Sequence, residues 1–263
     1  MSRSGYYRKK IRIRATKTSL EQKAIACFKK HKGNYGRIRI RKELLRDGIS
    51  VSENKIAKIL KKHGYRAKCG RTGHYHPLKP TEIQYFEENL VKDKFSAKVP
   101  NMLWCSDITE LKCRNTKLYL CCVIDVATRK IVGWAIDRRQ FQDLVQKAFI
   151  MAVNRTDQIP EGAVYHSDRG CQYTARKTKM LVEQAGFKKS MSRPGRPNDN
   201  QPIESFWHTL EVELEGIHDE NYKDARIEII KYIELYYNSM RLHSGIGYMT
   251  PDECFALHSV YKC

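Results

Sequence analysis

From residue 100 onward the apolar residues change period, and this change limits the possible folds more than any other feature of the chain. Residues 102–111, 118–126 and 130–137 form three consecutive strand-like runs, with LYLCCVIDV and KIVGWAI joined by the short turn ATR. Runs rich in β-branched and aromatic residues, bounded by turn formers, predict strands, and three in succession predict an antiparallel meander. A helical pattern over 140–155 follows, then a strand over 163–167, a helix over 173–185, a strand over 187–191 and a helix from 201. A meander followed by helix–strand–helix–strand–helix predicts an α/β fold, a mixed five-stranded sheet with helices on both faces.

Three carboxylates punctuate this pattern. Asp107 lies in the first strand (LWCSDITEL), Asp168 just past the fourth (VYHSDRGCQY), and Glu204 on the first turn of the helix NQPIESFWHTLE. In that helix Asn200 is the expected N-cap and Pro202 suits the first turn. Ile203, Phe206, Trp207 and Leu210 carry its burial, so Glu204 has little packing reason to be there. If the first and fourth strands are neighbours, Asp107 and Asp168 share one edge of the sheet and the helix can bring Glu204 to them. Two unit charges 4 Å apart repel by about 4 kcal/mol at an effective dielectric of ~20, and a bound cation offsets that cost. Oxygen donors without Cys or His point to Mg²⁺, with Mn²⁺ as the alternative. Three nearby polar residues read differently. Asp125 is expected to bond the backbone of the ATR turn, Asp199 to serve the loop or cap, and His166 to pack beside Asp168.

Charge divides the chain. Residues 1–80 hold 24 Lys+Arg against 4 Asp+Glu, whereas 81–263 hold 25 of each, so the whole net charge of +20 belongs to the first part. After a basic arm (1–18), helices are expected over 19–32, 36–47 and 53–63, with Leu20, Ala24, Ile25 and Phe28, then Ile40, Leu44 and Leu45, then Ile56, Ile59 and Leu60 facing inward. Two short helices joined by a glycine-containing turn look like a helix-turn-helix, and Lys55, Lys58, Lys61 and Lys62 of the third helix are candidate phosphate contacts. An ordinary three-helix cluster with a charged exterior has the same pattern; the charge asymmetry favours DNA. Residues 66–80, with His74 and His76, read as a linker or DNA-tracking segment carrying plain surface histidines, followed by a short helical piece around 82–92. The loop 192–202, with Arg193 and Arg196, is polar and suited to ordering over DNA. Nine cysteines without a C-x-x-C pair read as reduced thiols of a cytoplasmic protein rather than a zinc site, and the N-terminus lacks an apolar signal core.

Four ordered motifs, WCSDIT, HSDRGCQY, SRPGRPNDNQPIESF and YYNSMRLHSGIGYMTP, resemble those of bacterial insertion-sequence transposases with a DDE catalytic domain similar to retroviral integrases. The resemblance is closest to the second-frame product of copy-out–paste-in insertion sequences and covers about residues 30–258. It implies a ribonuclease-H-like core over 100–220, preceded by a helix-turn-helix region and linker (1–80) and a connector (81–99), and followed by a C-terminal helix and tail (221–263). It implies Asp107, Asp168 and Glu204 as catalytic metal ligands for two Mg²⁺ ions, with terminal inverted repeats and target DNA as substrates. Such an enzyme cuts with water and joins with the freed 3′-hydroxyl, so it needs no Ser or Tyr nucleophile. A homo-oligomer on DNA, nucleoid association and fusion with an upstream-frame product are implied too. An idle DNA-binding regulator or remnant of such an element is the alternative. The chain departs from the family at Glu211, where a Lys or Arg is usual, and at Glu110, where an aromatic is common.

Overall fold

The computed structural model describes residues 19–68, 87–91, 95–193 and 197–260. The chain divides into two compact units, 1–71 and 72–263. Among the described residues no helix is long and apolar enough to cross a membrane.

The first unit consists of α1 (19–30), α2 (Arg37–Arg46) and α3 (Glu53–Lys62). Ala24, Cys27 and Phe28 of α1, Ile40 and Leu44 of α2, and Ile56, Ile59 and Leu60 of α3 form its core. Leu45, expected inside, is 48% exposed. Ile40 and Leu44 are one turn apart and share the inward face, and the next residue turns about 100° away from it. Ser52 caps α3 by accepting the Lys55 N–H. Residues 47–52, with Gly48 in the left-handed region, make the turn between α2 and α3.

The second unit is built on one sheet of order β3-β2-β1-β4-β5. β1 (Leu103–Cys113), β2 (Thr116–Asp125) and β3 (Ile131–Asp137) are the antiparallel meander, and β4 (Val164–Ser167) and β5 (Lys188–Met191) add in parallel beside β1. Alternation along β2 feeds two cores. Leu118, Leu120, Cys122 and Ile124 join Ile203, Phe206, Trp207 and Leu210 of α7 (Gln201–Glu213) on one face. Cys121 and Val123 join Leu144, Val145, Ala148 and Phe149 of α4 (Gln142–Asn154) on the other. Gly133 is required where β3 meets α4, because a Cβ there would collide with the Ala148 carbonyl and the Ala152 backbone. The fold is thus the expected mixed sheet with helices on both faces.

Two of the expected helices are corrected as well. The helix expected over 173–185 is α5 (Cys171–Thr174) and α6 (Arg176–Gln184), broken at Ala175, whose backbone is extended (φ −56°, ψ 133°). Buried Tyr173 holds the first turn against Ser106 of β1, and the Thr178 hydroxyl donates to the Gln172 carbonyl across the break. The helical piece expected around 82–92 is absent from its described part, 87–91. That segment instead runs along β5, with Leu90 N–H donating to Ser190 Oγ at 2.9 Å and Met191 N–H to the Glu88 carbonyl at 3.4 Å. His74 and His76 lie outside the described residues. The tail forms α8 (Tyr222–Lys231), which continues as one wider helical stretch over Tyr232–Tyr237, and α9 (Pro251–Val260).

Candidate active site

The register of the two central strands does the first part of the assembly. β1 and β4 run parallel with Ser106 opposite Ser167, so Asp107, still within β1, and Asp168, just past the end of β4, follow at neighbouring positions. Adjacent strands lie ≈ 4.8 Å apart, which sets the scale of their approach. The strand adjacency that sequence alone left conditional is therefore present. Below them the Ser106 hydroxyl meets the Tyr173 hydroxyl at 3.0 Å, tying β1 to the segment that follows Asp168.

Helix α7 brings the third carboxylate. Asn200, just before its first turn, donates from Nδ2 to the Ser106 carbonyl at 3.0 Å. It makes no side-chain cap bond, so the cap role expected of it is replaced by a tie to the sheet. Trp207 donates its indole N–H to Asp107 Oδ2 at 2.9 Å. Glu204 precedes Trp207 by three residues and so shares its face of the helix. The negative charges of both Asp168 and Glu204 act on Asp107.

Electrostatics mark the cluster as unbalanced. Burial, then Asp168, pushes the Asp107 carboxyl up to about 7, against the opposing hydrogen bonds from Trp207 and the Ile108 N–H, and Glu204 adds to the rise. Asp168 is open to solvent yet stands over densely packed protein; that crowding raises its carboxyl, and the Gly170 N–H, 3.0 Å from Oδ1, opposes the rise. A Cβ at Gly170 would lie 3.1 Å from Asp168 Oδ1 and displace that carboxylate by a few tenths of an ångström. Partial burial raises Glu204 as well. Among the described residues no Lys or Arg pairs with any of the three. A hard, all-oxygen, anionic donor set without an internal counter-ion fits a divalent cation such as Mg²⁺.

The other polar residues take structural places. Asp125 is fully buried and accepts from the Asn101 and Thr128 N–H groups, each at 3.0 Å, as a turn residue should. His166 is buried, donates from Nε2 to the Asp199 carbonyl at 2.7 Å and accepts at Nδ1 from Ser190; burial holds it below the usual histidine range. Asp199 is 1% exposed and clamps Arg193, with Nε–Oδ2 at 2.9 Å and Nη2–Oδ1 at 2.8 Å. Arg193, expected to meet DNA, therefore has a structural engagement at the mouth of the loop, and Arg196 lies outside the described residues. Lys55, Lys58 and Lys61 are exposed on α3; Lys62 is exposed too but pairs with Glu21 at 3.1 Å. Sequence reasoning missed the Trp207–Asp107 bond, although the three-residue spacing from Glu204 was its signal.

The comparisons with known proteins agree with this architecture. Family models described as HTH-like domain and Integrase core domain match residues 16–72 and 97–197, and a second Integrase core domain model matches 185–251. The chain is 38% identical over 235 residues to the transposase for insertion sequence element IS904 of Lactococcus lactis subsp. lactis (strain IL1403), covering 89% of this chain and 92% of that one. It is 32% identical over 267 residues to transposase InsF for insertion sequence IS3A of Escherichia coli (strain K12), covering 96% and 90%. Among solved structures, a chain of the simian T-cell lymphotropic virus intasome in complex with PP2A regulatory subunit B56 gamma superposes with a TM-score of 0.50 at 13% identity, covering 89% of this chain and 74% of that one. At this identity, over nearly the full length of both chains, the protein belongs to the insertion-sequence transposases of the retroviral integrase superfamily.

Proposed function

We propose that this transposase cuts and joins insertion-sequence ends at Asp107, Asp168 and Glu204, using two Mg²⁺ ions, with Mn²⁺ as a substitute. The observation that carries the reading is the position of Asp107 and Asp168, each one residue beyond the paired Ser106 and Ser167 of the parallel strands, with Asp168 and Glu204 both acting on the Asp107 carboxyl and no internal counter-ion among the described residues. When bound, the ions supply Lewis acidity and charge neutralisation for phosphoryl transfer. The three carboxylates would hold them, Trp207 fixes the orientation of Asp107, and the Asn200 tie fixes the start of α7. Cleavage breaks a P–O bond with water and frees a 3′-hydroxyl; joining exchanges one phosphodiester for another. Three intact carboxylates favour this reading over an idle DNA-binding remnant. The direct test is Mg²⁺-dependent joining of labelled terminal repeats to a target duplex; absence of joining with the correct ends and metal would refute it.

DNA binding is divided along the chain in this reading. Residues 1–80 bind and link, 81–99 connect, 100–220 catalyse and 221–263 brace the core. A homo-oligomer on DNA, alone or fused to an upstream-frame product, is the working form. Lys55, Lys58 and Lys61 are exposed along α3 for phosphates. A fragment of residues 1–80 is expected to bind duplex DNA with log K falling by about 0.9 per neutralised phosphate against log[salt]. The formally neutral remainder should bind at least about tenfold more weakly at low salt. Equal binding by the two fragments would contradict the division.

Glu211 gives a second test. It is exposed on α7 and lines a groove with Glu110, Lys112, Glu215 and His218. It makes no ion pair among the described residues, although Lys112 and His218 line the same groove. Glu110 instead pairs with Lys117 at 2.8 Å. Seven residues along a helix is nearly two turns, about 10 Å, so Glu211 and Glu204 lie on one face, on the expected path of a DNA end. Glu211→Lys should raise affinity for the ends about fivefold, the scale of ~1 kcal/mol for an exposed charge contact, with a steeper salt dependence. A lower melting temperature with no gain in binding would count against that path.

A further inference from the structure

Apart from the carboxylate site, one cluster in the first unit gathers three metal-ligating side chains of different kinds. Cys27 lies near the end of α1 and His31 follows one turn later, so both point to one side. Glu43 reaches them from α2. One donor atom from each, a sulfur, a ring nitrogen and a carboxylate oxygen, all lie within 4.8 Å of one another. Cys27 and His31 are buried, at 6% and 1% exposure, and the Glu43 side chain is at 16%.

The arrangement is already held in place. His31 Nε2 sits 2.7 Å from Glu43 Oε2, and the His31 ring stacks on Tyr35 with centroids 3.6 Å apart and planes 6° from parallel. Lys30 holds the other oxygen, Oε1, at 2.8 Å from the solvent side, which leaves Oε2 turned inward. The Cys27 thiol faces the same point and makes no hydrogen bond among the described residues. A His–Glu hydrogen bond alone accounts for two of the three groups and leaves the thiol as packing.

We propose that Cys27, His31 and Glu43 form a binding site for one zinc ion that pins α1 to α2 in the helix-turn-helix unit. Sulfur, nitrogen and oxygen donors together select a borderline-soft cation over Mg²⁺. A thiolate and a carboxylate balance the two charges of Zn²⁺, so the buried assembly is neutral; water completes the shell. Burial, with Glu43 nearby, pushes the free Cys27 thiol up to about 12. Binding therefore releases the Cys27 proton to solvent, and affinity rises with pH.

Cobalt(II) tests this in the full-length chain, because a thiolate ligand gives a sulfur-to-cobalt charge-transfer band that the all-oxygen site cannot. Metal-stripped protein in excess Mg²⁺ is titrated with Co²⁺. One equivalent should give that band together with tetrahedral d–d absorption, and Zn²⁺ should bleach both. Cys27→Ala should lose the band with its helical circular dichroism intact, and Glu43→Gln should weaken cobalt binding at least about tenfold, as loss of a ligand does. No charge-transfer band in the wild type, or an undiminished band in Cys27→Ala, would overturn the proposal and leave Cys27 as a buried packing residue. Should Cys27→Ala lose its helical signal, Glu43→Gln decides: weakened cobalt binding supports the site, and unchanged binding overturns it.

Discussion

Asp107→Asn, Asp168→Asn and Glu204→Gln are each expected to reduce Mg²⁺-dependent strand joining by about a thousandfold or more, with binding to the ends nearly unchanged. The size follows from the chemistry. A metal clamp supplies several kcal/mol of transition-state stabilisation, and each 1.36 kcal/mol is tenfold in rate. Amides are close in shape to the acids, so the β1–β4 register and the first turn of α7 should survive. Affinity survives because the basic excess lies in residues 1–80, far along the chain from these three. Removing a negative charge beside DNA should, if anything, tighten binding in the absence of metal. End binding by mobility shift and joining on the same labelled duplex separate the two effects. More than a trace of joining by any one variant would remove that residue from the site.

The largest expected effect on stability is at Arg241. Its guanidinium meets Glu213, with Nε 3.0 Å from both carboxylate oxygens and Nη2 2.9 Å from Oε1, and the Tyr232 hydroxyl donates to Oε2 at 3.0 Å. Both charged side chains are 5% exposed. Breaking such a pair strands the remaining charge in the interior, at about 3–5 kcal/mol, so Arg241→Met should lower the melting temperature by roughly 10 °C. Arg241→Met with Glu213→Leu should recover most of that loss, because a buried pair is often replaceable by well-packed apolar residues. Glu213 is the last residue of α7, whose first turn carries Glu204, so the pair locks the tail to the helix that carries the third carboxylate. Equal destabilisation by the single and double variants would show that packing, not charge pairing, dominates there.

Local periodicity made the sheet and most helices legible, because alternation along β2 and the apolar stripe of α7 are properties of neighbouring residues. Glu204 stood out for the same reason, as a charge that its helix did not need. What was not legible depends on pairing across the chain. The neighbourhood of β1 and β4 brings Asp107 to Asp168, yet nothing local in either strand specifies it. Asn200 has the chemistry of a cap, but the Ser106 carbonyl of β1 captures its amide. Arg193 reads as a free loop arginine until Asp199 is seen buried beneath it. The break at Ala175 followed from Tyr173 being drawn to the sheet, a tertiary contact overriding helical spacing. Cys27 and His31 did carry a local signal, their one-turn spacing, but Glu43 joins them only through the packing of α1 on α2.

The central claim is that the three carboxylates are held together for a divalent cation, and metal-linked stability at pH 8 tests it most directly. Asp107 has its carboxyl raised to about 7 in the folded chain, chiefly by burial and then by Asp168. In the metal-free protein the folded state keeps a proton that the unfolded chain has lost, so stability falls as pH rises from about 4 to 7. At pH 8 that penalty is fully present, and Asp107→Asn removes it. Allowing for partial solvent access, the gain is about 2 kcal/mol, roughly 5 °C in melting temperature. Mg²⁺ should stabilise the wild type by about 2.7 kcal/mol at one hundred times its Kd. The account predicts that Asp107→Asn and Asp168→Asn respond to Mg²⁺ much less than the wild type, and that Asp107→Asn is the more stable protein without metal. An equal Mg²⁺ response in all three proteins would place the ion elsewhere and contradict it.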